Sequence, residues 1–308
     1  MSSINQPSHS AKPNGGENHT SLFPILTLLI GATMWGLIWY PIRLFEAQGL
    51  HGLWSSALMY CGTLVVAIPI LYKGWRVWLK NPWLFFIMAI ATGWTNVAFI
   101  LAILDGNIVR VLLLFYLSPL WATLLGYFFL GEQLSKRAIV VLVLAMTGAI
   151  IMLWDESLGF PAPQSKADWL ALSSGIAFAI TNVLIHKLDN ASVMVKTATG
   201  WLGVFVVAFI LIYFTGEKIT ATPQVMVWAW VLGAAVMTLM NIAVVYGVTN
   251  MPVHRSAIIL LFEVVVGAVS SLLLTDEVIQ SREWIGGALV ILAAYLTAIQ
   301  HVRKGNKS

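Results

Sequence analysis

The sequence predicts an all-α integral membrane protein, with ten transmembrane helices arranged as two inverted five-helix repeats. Three observations lead there. The 308 residues are 59% hydrophobic and only 10% charged, with mean hydropathy +0.85; soluble domains carry about 25% charged residues. The apolar residues fall in continuous runs of about 20, the length of a helix that crosses a bilayer, whereas barrel strands alternate over about ten residues. The chain also resembles itself at a nearly fixed offset.

Residues 1–21 are polar and rich in Pro, Gly, Ser and Asn, and read as a disordered cytoplasmic tail. They lack the basic start and adjoining apolar core of a secretory signal, so the first apolar run is expected to stay as a helix. Ten spans follow at about 22–42, 53–72, 83–104, 109–130, 137–154, 168–187, 195–215, 225–247, 254–274 and 283–301. Trp75, Trp78, Trp83, Trp169 and Trp284 stand near span ends, as an aromatic belt requires. The Ser118-Pro119 pair removes a backbone hydrogen bond inside the fourth span and should kink it, which makes Pro119 a candidate hinge. Gly93 is a second candidate hinge, in the third span.

Lys and Arg orient the spans. With a cytoplasmic N-terminus, twelve fall on the inner side, among them Lys73, Arg76, Lys80, Lys136, Lys187, Lys196 and Arg255. Only Arg43, Arg110, Lys166, Lys218 and Arg282 fall outside. This asymmetry places both termini in the cytoplasm. Cys61 is the single cysteine, which excludes an intrachain disulfide and a cysteine-rich metal or redox centre. The net charge of +4 is spread thinly over loops and does not point to nucleic acid.

Sliding the chain by 145 positions pairs Asn96 with Asn241, Ala98 with Ala243, Arg110 with Arg255, Glu132 with Glu277 and Arg137 with Arg282. A one-residue shift pairs Gly31 with Gly175 and Arg43 with Lys187. Polar residues are scarce here, so their coincidence in matching spans defines two halves, 22–154 and 167–301. Five spans per half is odd, so the second half enters the membrane in the opposite sense. Inverted repeats are the architecture of alternating-access carriers, with the site near mid-membrane between the halves.

Two stretches resemble a known family. Met34–Leu44 (MWGLIWYPIRL) places Trp-Gly ahead of a basic residue, and Leu117–Leu153 carries Pro119, then Gly131-Glu132, a short loop and a Gly-bearing helix. Leu260–Leu296 repeats the second pattern, with Glu263-Val264 in place of Ser118-Pro119 and Asp276-Glu277 in place of Gly-Glu. These segments are similar to the EamA family of the drug/metabolite transporter superfamily. The resemblance covers about residues 22–301. It implies ten helices, inverted repeats and a central cavity lined mainly by the first, third and fourth helices and their partners. It leaves the substrate open among amino acids, other metabolites and drugs.

Glu263 is the most informative residue. It sits inside the apolar run Ala257–Leu274, where an ionisable group costs at least about 2.5–3.5 kcal/mol on insertion scales and marks a functional site by default. It reads as a substrate or proton site, or as a carboxyl that glues helices. Ser256, Gly267 and Ser270 share its helical face, a stripe that serves close helix packing or leaves room for a ligand. Asn96 and Asn241 read equally as interhelical glue and as cavity residues. Asn182 falls on an i, i+4 stripe with Ser174, Phe178 and His186.

Trp35, Trp39, Tyr40, Trp94, Tyr116 and Trp121, with Ser118, complete the expected lining. Aromatic faces and one carboxylate suit an organic ammonium, because cation–π attraction reaches about 2 kcal/mol when desolvated. No comparable mid-membrane Lys or Arg accompanies Glu263, which argues against multiply anionic substrates.

The function expected is secondary active transport, in the export direction, of a small amphipathic metabolite, an amino acid or organic amine, with protons exchanging at Glu263. The inner membrane is the expected site. The alternative is facilitative exchange of a neutral or anionic metabolite such as a nucleoside, with Glu263 structural. No cofactor is called for. Clustered His, Cys or carboxylates and a nucleotide-binding loop are absent from the sequence, which disfavours an enzyme, a metal site or ATP-driven transport.

Overall fold

The computed structural model describes residues 22–106, 108–154, 163–274 and 281–305. The expected tail and the Asp276-Glu277 pair lie outside the described residues. Every regular element described is a helix. Two helices, α1 (Phe23–Leu37) and α2 (Trp39–Ala47), make the first span, with a turn at Ile38. Then come α3 (Gly52–Lys80) and α4 (Pro82–Asp105); α5 (Ile108–Phe115) and α6 (Ser118–Leu130) share the fourth span, and α7 (Lys136–Leu153) is the fifth. Further on are α8 (Lys166–Lys187), α9 (Val193–Thr215), α10 (Pro223–Leu232), a π-helical turn at Gly233–Met237 and α11 (Thr238–Thr249). The last are α12 (Val253–Leu260), α13 (Phe262–Leu274) and α14 (Ser281–Gly305).

Among the described residues, nine helical spans are long and apolar enough to cross a membrane. The tenth expected span differs: within α14, Trp284–Ile299 is a shorter apolar stretch. Its polar and basic tail, QHVRKG, dilutes the apolar run at one end. The other spans sit within a few residues of their expected places, except that α3 continues to Lys80 and carries Trp75, Arg76 and Trp78 on its last turns.

Local chemistry sets the boundaries. Pro82 and Pro223 open α4 and α10, where a missing N–H does no harm. Ser135, Ser165 and Ser192 cap α7, α8 and α9 by accepting from Ala138, Asp168 and Val195. Gly131 (φ +67°) and Gly216 (φ +64°) take the left-handed conformation that ends α6 and α9.

Helices in a bilayer gain little from hiding apolar groups from one another, so close packing of small residues carries their association. Here backbones meet at glycine. A Cβ built on Gly233 would fall on the Met59 carbonyl, and one on Gly62 would fall on the Trp230 carbonyl, so α3 and the π turn are in backbone contact. Likewise a Cβ on Gly203 of α9 would strike the Ala89 carbonyl of α4. Gly148 of α7 and Gly286 of α14 face each other's carbonyls at 2.5–2.7 Å from the built Cβ positions. Gly93 makes the same kind of approach: the Gly203 carbonyl lies 2.6 Å from a Cβ built on it, and α4 runs unbroken through it. At the centre, all eight residues of α12 are buried.

Candidate functional site

Of the interrupted spans, the fourth and the ninth meet at their interruptions. The fourth span breaks at Tyr116-Leu117, between α5 and α6; Pro119 in the first turn of α6 has no N–H to continue the ladder. The ninth breaks at Leu261, between α12 and α13, where the Leu261 and Val264 amides reach Ile258 and Leu261 by tighter i→i+3 bonds. No proline marks this second break.

Glu263 lies in the first turn of α13, where the positive end of the helix dipole favours a carboxylate. The Tyr116 hydroxyl donates to Glu263 Oε1 at 2.6 Å. Tyr116 is buried and Glu263 half-buried. A short O–H···O contact of this kind is among the stronger hydrogen bonds when the acceptor is ionised. On the other side, α1 presses Gly36 against the Glu263 backbone, with 2.7 Å between the carbonyl and a built Cβ. An aromatic group adjoins Tyr116: Phe115 lies edge-on to it with centroids 5.4 Å apart, 4.7 Å from Phe99 of α4 and 5.9 Å from Phe178 of α8.

The other expected residues divide. Trp39 donates Nε1 to Ser270 Oγ at 2.9 Å, and Ser270 also reaches the Gly36 carbonyl at 3.4 Å. Ser270 therefore ties the α1–α2 turn to α13. Tyr40 packs edge-on against Trp39 at 5.6 Å. Trp35 is half-buried between two apolar clusters of the core. Ser118 is buried beside the break.

Trp94 donates to Ser173 Oγ of α8 at 3.1 Å. Trp121 packs with Ala179, Val183, Val253 and Ala257 between α8 and α12, and its indole N–H has no protein partner. Asn182 is fully buried with its amide Nδ2 unpartnered. The two repeat-related amides both turn to α3: Asn96 Oδ1 accepts from Ser56 Oγ at 2.9 Å, and Asn241 donates to the Met237 carbonyl at 2.8 Å beside the Tyr60 hydroxyl.

The sequence reading missed Phe99, Phe115, Tyr60 and Lys196. Phe99 and Phe115 carry no signal beyond their place in the third and fourth spans. Lys196 corrects the expectation that the basic residues of this chain stand in loops, although it lies at a span end rather than at mid-membrane depth like Glu263. It is fully buried in the first turns of α9, with Nζ donating to the Ile185 carbonyl at 2.8 Å and Thr249 Oγ1 at 3.3 Å. His254 and Arg255 are buried too.

Charged contacts tie both ends of the broken fourth span to other helices. Arg110 Nε meets Asp168 Oδ2 at 2.8 Å, and the same oxygen accepts from the Gln164 and Ser165 amides. At the other end Glu132 Oε1 accepts the Val253 N–H at 2.7 Å and Oε2 meets His254 Nδ1 at 2.6 Å. Burial pushes the Glu132 carboxyl up; the His254 ring and the Val253 amide more than offset it, and the net direction is down. Among the described residues no cluster of His, Cys, Asp and Glu could hold a metal ion.

These features define a multi-pass helical membrane protein with a carboxylate at the meeting point of two interrupted spans. Comparison with known proteins makes the class specific. The EamA-like transporter family matches residues 22–154 and 165–299. The chain belongs to that family, within the drug/metabolite transporter superfamily.

Among its relatives are Protein RarD of Salmonella typhi, 24% identical over 58% of this chain and 58% of that protein, and an uncharacterised transporter of Vibrio cholerae, 27% identical over 42% and 45%. An uncharacterised transporter of Pseudomonas aeruginosa is 22% identical over 68% of this chain and 71% of that protein. The matches to RarD and the Vibrio protein span only about half the length of those relatives. A solved crystal structure superposes with TM-score 0.76 at 15% identity, covering 91% of this chain and 97% of that one. That likeness concerns the fold alone.

Proposed function

We propose that this protein is an inner-membrane secondary carrier, working in the export direction, for a small amphipathic molecule with an amino or ammonium group, an amino acid or organic amine. One observation carries the reading. The Glu263 carboxylate stands at mid-span, held by the Tyr116 phenol, whose ring meets Phe115 and through it Phe99 and Phe178. An ammonium group satisfies both features, through charge and through ring faces. Glu263 takes either a proton or the ammonium, and competition between them couples the two fluxes.

Alternating access is carried by two inverted halves, 22–154 and 167–301, with α14 as the tenth membrane helix and both termini cytoplasmic. The glycine crossings support this pairing. Met59 and Gly203 stand 144 positions apart, as do Ala89 and Gly233, so the crossing of Gly233 on Met59 has its counterpart in Gly203 on Ala89. The two breaks support it as well, with Tyr116 and Leu261 145 positions apart. The family's description as transporters supports the general activity.

A second reading has an observation of its own. Glu263 is already hydrogen-bonded to Tyr116, as a purely structural carboxyl would be; facilitative exchange of a neutral or anionic metabolite such as a nucleoside would then need no charge there. Purified protein in proteoliposomes separates the two. Saturable uptake of amines or amino acids, driven by a pH gradient and lost in Glu263→Gln, is expected. Nucleoside exchange that survives Glu263→Gln with unchanged pH dependence would overturn the reading.

A further inference from the structure

The fourth span is fastened at both ends to later helices, and the two fastenings differ in kind. Arg110 and Glu132 are 22 residues apart, roughly 33 Å along a helix and thus about the full hydrocarbon thickness. They stand at opposite faces of the membrane. Between them lies the Tyr116-Leu117 break, whose Tyr116 holds Glu263. A movement at one end is free to pivot there without carrying the other end along.

At the Arg110 face, α8 is self-sufficient. Ser165 and Asp168 form a reciprocal capping box at its N-terminus, and Asp168 keeps the Gln164 and Ser165 amides whether or not Arg110 is present. Releasing Arg110 breaks an ion pair and leaves the helix end intact.

At the Glu132 face the opposite holds. The N-cap of α12 is Pro252, which offers no side-chain cap. The amide of Val253 is satisfied from outside the helix, by Glu132 Oε1, while the His254 ring takes Oε2 and its amide lies 3.5 Å from the same atom. Glu132 reaches this position because Gly131 turns the chain through the left-handed conformation at the end of α6. The Glu132 and His254 side chains are 10% and 8% exposed. Lifting Glu132 therefore uncaps the central buried helix, a change that shifts an equilibrium by about two- to thirty-fold.

We infer that the Glu132–Val253/His254 contact is the latch that closes one face of the carrier, and that the Arg110–Asp168 pair is the weaker closure, so the Arg110 face opens first. Glu132 and His254 act as positioning residues. This rests on the carrier reading of the site, and adds which face is held shut and by what.

The test is sided thiol labelling of the full-length protein in vesicles of known orientation. The reporter is Phe178→Cys, whose native ring meets Phe115 next to Tyr116, in a Cys61→Ala background with a membrane-impermeant maleimide. Labelling is expected to be faster from the Arg110 face. Adding Glu132→Gln should raise labelling from the Glu132 face by about two- to thirty-fold without raising it from the other. Arg110→Gln should raise labelling from its own face by a smaller factor.

His254→Gln removes the ring contact and keeps the backbone cap, so it should show a smaller rise on the Glu132 face, and it carries the test should Glu132→Gln fail to fold. A folded Glu132→Gln protein that labels like its parent, or equally faster from both faces, would overturn the latch. Labelling needs no substrate. Failed amine uptake by the parent, which keeps Phe178, with intact sidedness in the reporter would remove the substrate reading alone, and absent sidedness with intact parent uptake would remove the latch alone.

Discussion

Tyr116→Phe tests the central contact with little disturbance elsewhere. The ring stays, so its edge-on packing against Phe115 is kept, and only the oxygen 2.6 Å from Glu263 is lost. A hydrogen bond to a charged acceptor is worth about 1.5–3 kcal/mol. In the parent, that bond is the competitor a cationic substrate must replace or share. Its removal should tighten ammonium binding by up to about ten- to a hundred-fold, at 1.4 kcal/mol per tenfold. Isothermal titration of the detergent-solubilised protein with an amine panel reads the affinity, and thermal unfolding without ligand reads the stability. The expected result is tighter binding with unfolding temperature lowered by a few degrees at most. Unchanged affinity with a large loss of stability would refute the reasoning and make the pair a helix clamp.

Three further outcomes follow from the packing and the charges. Gly203→Ala and Gly233→Ala each drive a methyl onto a backbone carbonyl. Each should lower stability by about 1–3 kcal/mol in thermal unfolding, whereas Gly267→Ala, whose nearest atom is 3.9 Å away, should be neutral or stabilising. Lys196→Met leaves the Ile185 carbonyl without its donor and should cost about 1–3 kcal/mol; an unchanged unfolding curve would make that contact dispensable.

Glu132 sets a pH dependence. Its carboxyl is held below the usual value of 4.5, so its contribution is complete above that value and is lost as pH falls through the lowered one. Thermal stability of the parent should drop on acidification below about pH 4.5 more steeply than that of Glu132→Gln. Parallel curves would contradict it.

Much of the scaffold was legible because bilayer length and hydropathy constrain a membrane chain so tightly. Nine spans lie close to the expected places, and Pro119 announced its own break. The break at Leu261 was not legible, since no proline or glycine produces it; it follows from tertiary packing around a helix buried on every side. The burial of Lys196 was not legible, because a lysine four residues into α9 satisfies itself on the carbonyl end of α8, and hydropathy is blind to that. Glu263 stood out because charge is rare in such a run. Its partner did not, because a tyrosine among many aromatics looks like packing until a carboxylate lies opposite. In the small stripe, Ser270 reaches the Gly36 carbonyl of α1, whereas Gly267 leaves room beside it.

The π turn at Gly233–Met237 has a meaning for the history of the chain. Residue pairs before it, from Gly31–Gly175 to Ala89–Gly233, are spaced by 144, while those after it, from Asn96–Asn241 onward, are spaced by 145. A π turn is a helix that has absorbed one surplus residue. On the two-half reading, the surplus is a single insertion in the eighth span, which the wider turn takes up locally so that residues downstream keep the faces of their counterparts. Ancestral twins would then have diverged by one codon while Asn241 stayed beside Tyr60 of α3, the helix that also holds Asn96. Deleting Ala235 should restore an unbroken α-helix and leave Asn241 beside that neighbour.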